Sequence, residues 1–329
     1  MATERPIISC RDLTRIYRMG DQEVRALDGV DLAGKTGEIL FFDFEAKKLF
    51  AHFYDAEPMP TADTLIDDVE VKKGLFSVKR VPVRRPFQRS SEESWKKRAA
   101  VRVGIPRVLN IWTIAPFIRT YLESIGIQKH HVVFSDETTE EIWQEGGKYG
   151  SIDPCYPSKV AQAHIHNLLF HQHSDKKPLH YIFFPCITHV PPGIHKVMDS
   201  ASCPIVAGVP EVLKAAFTKE VDFFATRSIK YLDPALTFTE PTFLRKQMFD
   251  CFGALLGVTE DESDFAVEQA HKAMTKFDAE IQTRGKAILE ERHQRGAMLV
   301  DAGELAAVIN QHNSAALAQE IAERMPGKR

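Results

Sequence analysis

Three cysteines carry the residue types and settings best suited to chemistry. Cys155 lies in Asp153-Pro154-Cys155-Tyr156-Pro157, Cys186 in Pro185-Cys186 and Cys203 in Ser202-Cys203-Pro204. Each touches a proline, and each falls at the end of a predicted regular element. Thiolates are soft ligands, and iron–sulfur clusters are held by them, usually four at a time. The separations of 31 and 17 residues match none of the compact ferredoxin or zinc-ribbon spacings. Spacing alone leaves packing, catalysis and metal binding open, because free cysteine is among the most buried residue types. The chain has five cysteines, an odd count that argues against a disulfide framework. Cys10 has no comparable setting. Cys251 stands beside Phe249 and Phe252 in an apolar helical segment, where packing is the better reading.

A second chemical pattern lies near the N-terminus. Gly29-Val30-Asp31-Leu32-Ala33-Gly34-Lys35-Thr36 fits G-x-x-x-x-G-K-[ST], in which Gly34, Lys35 and Thr36 would meet a nucleotide phosphate. That role needs a strand before the loop and a helix after it, whereas Gly37-Glu38-Ile39-Leu40-Phe41-Phe42 reads as a strand. Histidines His131, His164, His166, His171, His173, His180, His189 and His195 crowd the middle of the chain. His166 and His173 are seven apart and would share a helix face if the helix lasts that far. The plain reading is polar surface or hydrogen-bonded core.

The elements that must position these groups alternate in type. Val101–Ile105, His131–Ser135, Tyr181–Phe184 and Pro204–Ala207 read as apolar strands, with further possible strands at Val221–Phe224 and Ile229–Leu232. Ile111–Ile125, ending at Gly126, reads as a helix, as do Ser158–Phe170 and Pro210–Phe217. Apolar strands alternating with helices predict an α/β fold, a parallel sheet with helices on both faces of Rossmann or flavodoxin-like type, followed by a helical C-terminal part from Asp264–Arg292 and Gly303–Arg324. In such a sheet the loops at the carboxyl ends of the strands converge on one crevice. Cys155 and Cys186 can meet there, and Cys203 would arrive by the loop before its strand. The domains expected are an N-terminal remnant (1–36), a mixed segment with a basic linker (37–100), an α/β cysteine-bearing domain (101–245) and a helical region (246–329).

Composition excludes some functions. A net charge of −3 argues against a general nucleic-acid binder. No apolar run approaches the roughly 20 residues that span a bilayer, and no secretory signal stands at the N-terminus. A cytoplasmic location is expected.

The cysteine motifs also carry a resemblance. Val103-Gly104-Ile105-Pro106-Arg107-Val108-Leu109-Asn110 resembles the opening of the dehydratase-like module in the 2-hydroxyacyl-CoA (2-hydroxyglutaryl-CoA) dehydratase activase-related proteins. The segment from Glu145 to Lys159, containing Cys155, resembles that family's first cysteine motif. Phe183-Phe184-Pro185-Cys186 resembles the second, and the segment from Ser202 to Glu211 the third. The likeness runs from about Phe44 to about Glu290. It implies a [4Fe–4S] cluster held by Cys155, Cys186 and Cys203. It also implies low-potential electron transfer toward a 2-hydroxyacyl-CoA, driven by an ATP-dependent activase domain or partner, in a lyase- or reductase-type system. His189, three residues after Cys186, is then a candidate fourth ligand or proton donor. Lys159 and Arg107 are candidates to hold the acyl-CoA or tune the cluster's charge. A cluster shared across a homodimer is also open. Nothing in this chain resembles the family's ATP-binding domain, so it reads as a shortened member. Residues 7–32 separately resemble the first strands of ABC-transporter ATPases, with Tyr17 at the adenine-stacking aromatic. The alternatives are a non-catalytic scaffold and a nucleotide-dependent ATPase.

Overall fold

The computed structural model describes residues 8–19, 22–34, 48–51, 55–60, 64–72, 78–149, 155–190 and 200–294. Two antiparallel hairpins come first: β1 (Ile8–Met19) with β2 (Gln22–Gly34), and β3 (Thr64–Lys72) with β4 (Val78–Pro86). Helix α1 (Glu92–Ala100) follows, capped by the Ser91 hydroxyl, which accepts the Ser94 N–H. Much of the stretch expected as a basic linker is thus regular structure. Lys79, Arg80, Arg84 and Arg85 belong to β4, and Lys96, Lys97 and Arg98 to α1.

The core of the fold is a parallel sheet in the order β6-β5-β7-β9, from β5 (Val103–Ile105), β6 (Val132–Phe134), β7 (Tyr181–Phe183) and β9 (Lys230–Leu232). Helix α2 (Ile111–Ser124) joins β5 to β6. Helices α3 (Glu140–Gly146) and α4 (Tyr156–Asn167) lie between β6 and β7, and α5 (Pro204–Thr218) between β7 and β9. The path from β5 to β6 runs one way along the sheet, and those from β6 to β7 and β7 to β9 run the other. Right-handed crossovers then set α2 on one face and α4 with α5 on the opposite face. The contacts agree, since the Tyr149 ring just before α4 stacks on Phe217 of α5 at 6.1 Å. On the α2 side pack α6 (Pro241–Leu256) and the 35-residue α7 (Glu260–Gln294), with Tyr121 of α2 against Phe252 of α6 at 5.6 Å. A second, two-stranded parallel sheet pairs β8 (Cys186–His189) with β10 (Ala235–Thr237). The expected parallel α/β sheet and helical C-terminal part are both present.

Two expected strands are absent. Pro204–Ala207 opens α5 instead. Its β-branched, apolar residues suit a strand, but proline is well tolerated in the first helical turn. Val209, Leu213 and Phe217, four apart, form the buried stripe that fixes the helix. Val221–Phe224 is a turn, because the Asp222 carboxylate accepts the N–H groups of Phe224 and Ala225 at 3.0 and 2.8 Å and starts a 3-10 turn. Gly126, expected to end α2, has φ +104°, and a Cβ there would lie 2.6 Å from the Trp95 ring.

Candidate functional site

The order β6-β5-β7-β9 reverses direction between β5 and β7, so a topological switch point lies at their carboxyl ends. The chain leaving β5 carries Pro106 and Arg107, and that leaving β7 carries Phe184, Pro185 and Cys186. The sequence-derived candidates Arg107 and Cys186 therefore follow the two strands that flank this crevice.

The other two thiols stand at the starts of the helices that precede β7 and β9 in the chain. Cys155 and Cys203 are the N-cap residues of α4 and α5. Cys155 Sγ lies 2.9 Å from Ser158 Oγ. Cys203 is exposed and Cys155 half-buried. Cys203 is not at the start of a strand, as expected, but at the start of a helix. Its approach is fixed by the Ser202 N–H donating to Thr188 O at 2.7 Å and by the His189–Ala201 bridge, which ties the segment before α5 along β8.

Cys186 differs from its partners. It is buried, and burial pushes its thiol up to about 11, with the Glu211 and Asp233 carboxylates acting in the same direction. Its environment reaches Glu211 in the third turn of α5, two turns from Cys203. Among the described residues the three sulfurs do not form a group tight enough for a single ion. A cluster sets its thiolates on separate irons, so it does not demand that proximity. The donors are of the right kind, soft thiols at element ends, and a bound cation would deprotonate Cys186 outright. In that respect the residues fit the group.

His189 ends β8. The pairing with β10 passes from Ile187 to His189 and leaves Thr188 as an extra residue. Its Nδ1 lies 3.1 Å from Thr188 Oγ1. Lys159 is half-buried in the first turn of α4. Arg107 is largely buried, its guanidinium 4.3 Å from the Phe50 ring centre and 3.1 Å from Glu137 Oε1. Gly34 is the last residue of β2, paired with Ile8, and residues 30–34 are strand. Lys35 and Thr36 lie outside the described residues, as do His195 and the Gly303–Arg324 helix expected near the C-terminus. Cys251 is packed in α6, and burial drives its thiol to about 12.

Sequence reasoning missed a polar group beneath the crevice. The Arg107 N–H donates to Ser135 Oγ at 2.8 Å, Ser135 Oγ lies 2.7 Å from His164 Nδ1, and His164 Nε2 lies 2.9 Å from Thr138 Oγ1. His164 is fully buried, and desolvation, aided by the Arg107 charge, lowers it to about 4. This neutral ring braces the loops that follow β5 and β6. It also missed Glu145, His166 and His171, whose ligand atoms all lie within 4.8 Å of one another. His166 gathers with His171, not with His173, which leaves the helix and accepts the Leu179 N–H.

No helix among the described residues is long and apolar enough to cross a membrane. No curated protein and no solved structure matches the chain. The family model described as "CoA enzyme activase uncharacterised domain" matches residues 102–323. That span starts at the strand leading into the crevice, includes Cys155, Cys186 and Cys203, and runs past residue 290, where the motif resemblance stopped. It covers more than half of the sequence, and the chain belongs to this CoA enzyme activase-related family.

Proposed function

We propose that this chain is a [4Fe–4S]-binding electron-transfer or dehydratase-like module working with a CoA-dependent enzyme of the 2-hydroxyacyl-CoA dehydratase type. The observation that carries the reading is that all three cysteines stand at the ends of elements of the α/β part. Two are helix N-caps and the third follows β7 at the switch point. Membership of a CoA enzyme activase-related family supports the substrate side of the reading. Cys155, Cys186 and Cys203 would hold the cluster, which would supply one-electron chemistry. His189 is the candidate fourth ligand or proton donor. Arg107 and Lys159 are the cations available for an acyl-CoA. The electron would come from an ATP-dependent activase partner, in the cytoplasm.

Iron and acid-labile sulfide assays with a visible spectrum on anaerobically purified protein test this. About four irons per chain are expected, or two if a cluster is shared between subunits, with loss in each of Cys155→Ser, Cys186→Ser and Cys203→Ser. A colourless, iron-free protein after reconstitution would overturn the reading and favour a scaffold role.

A further inference from the structure

We propose that Glu145, His166 and His171 form a binding site for one late first-row divalent cation of the zinc class, separate from the thiols of Cys155, Cys186 and Cys203. Two imidazoles and a carboxylate are a donor set such ions accept, with a position left for water. Their ligand atoms all fall within 4.8 Å of one another. His171 Nε2 is 2.8 Å from Glu145 Oε2, and the rings of His166 and His171 are 6.0 Å apart.

Two local departures from regular structure build the trio. His166 and His171 are five residues apart, which on an α-helix separates them by about 140°. The chain passes through a π-helical turn at Leu168–Gln172, closed by the His173 N–H donating to Leu168 O at 3.1 Å, and the wider turn returns His171 toward His166. Glu145 comes from α3, and its neighbour Gly146 lets that helix touch α4. A Cβ at Gly146 would lie 2.5 Å from Ala163 Cα.

His166 is presented as a ligand would be. It is buried, and its ring packs against Tyr149 at 4.7 Å and Phe170 at 4.4 Å, two rings that also touch each other at 5.9 Å. A ring nitrogen of His166 falls within reach of both Glu145 and His171. Lys148 and Arg227 stand over the same two rings, Lys148 Nζ 5.7 Å from the Tyr149 centre and the Arg227 guanidinium 4.2 Å from that of Phe170. The same two cations, Lys148 and Arg227, temper affinity for a dication.

His166 lies eleven residues beyond Cys155, about 16 Å along the helix. The site is therefore at the opposite end of α4 from Cys155, and a bound ion would clasp α3 to the π-turn.

Titration with Co²⁺ or Zn²⁺ of the full chain carrying Cys155→Ser, Cys186→Ser and Cys203→Ser tests this. One equivalent should bind, with a cobalt spectrum of nitrogen and oxygen ligation and no thiolate charge-transfer band. Adding His171→Ala or Glu145→Gln, both exposed positions, should weaken binding at least tenfold with circular dichroism unchanged. If the triple variant does not fold, the wild-type chain with alkylated thiols serves in its stead. Absence of stoichiometric uptake, or uptake that survives either substitution, would overturn the site. Iron content is read independently, so the fates of the cluster and of this site are distinguishable.

Discussion

His164 lies under the switch-point crevice with no exposed surface, one nitrogen near Ser135 and the other near Thr138. Its ring is held neutral down to about 4 by desolvation and by the nearby Arg107 charge. The unfolded chain takes up this proton near 6.5, so the unfolded state binds more protons between those values. Stability is then full above about pH 6.5 and declines as pH falls toward 4. The decline should amount to about 3 kcal/mol. Urea unfolding at a series of pH values should show it, and His164→Gln should reduce the slope between those values. A variant with the wild-type slope would show that another group governs it. The residue was visible in the sequence as one of many histidines, but its partners Ser135 and Thr138 come from a different loop, and no local pattern connects them.

At the scale of elements, α1 is fastened to α7 by a buried ion pair. Arg98 Nη1 donates to Glu262 Oε2 at 3.0 Å, and both side chains are fully buried. The remaining carboxylate oxygen accepts from Ser90 N, Ser90 Oγ and Trp95 Nε1 at 3.0, 2.8 and 3.0 Å. The Arg98 guanidinium also sits 4.4 Å from the Trp95 ring centre. Next to this pair, Arg85 of β4 grips Asp261 with two nitrogens at 2.6 and 2.7 Å. Burial works against ionisation of Glu262, but the bonds from Arg98, Ser90 and Thr259 outweigh it and hold its carboxyl below the usual range. Such a group stabilises the fold above its unfolded value near 4.3 and loses that contribution as pH falls through its lower folded value. Glu262→Ala leaves Arg98 buried and unpaired, which should cost about 3–5 kcal/mol and be read as a lowered denaturation midpoint. Glu262→Ala combined with Arg98→Leu should recover part of the loss, because the uncompensated charge is then gone. In sequence, these arginines belong to a basic run interrupted by glutamates, with the look of a solvated linker. Their carboxylate partners are more than 160 residues away, which composition does not register.

At the scale of the whole molecule, the β1–β2 hairpin forms a sheet of its own, apart from the four-stranded sheet of the α/β part. A chain that begins at residue 37 should therefore retain the iron content and thermal transition of the full chain. Loss of either would show that residues 1–36 support the α/β part. Starting later is a different experiment, because Leu49 and Phe50 belong to the core and Phe50 faces Arg107 and Trp112.

The sequence by itself determined the type and order of the core elements. Val103–Ile105, Tyr181–Phe183 and the stripe of Ile111–Ser124 show their burial in local apolar pattern, because strand and helix periodicities are properties of neighbouring residues. It also determined that Cys155, Cys186 and Cys203 stand at element ends, since proline and glycine mark those ends locally. Only the tertiary structure decided what those ends share. Pro204–Ala207 has strand-like composition, and it is helical because Val209, Leu213 and Phe217 find a core to enter, so Cys203 caps a helix. The reversal between β5 and β7, the Arg98–Glu262 pair, and the π-turn that gathers His166 and His171 with Glu145 depend on segments meeting in space. Such meetings follow from the sum of packing over the whole chain, which no short window of sequence contains.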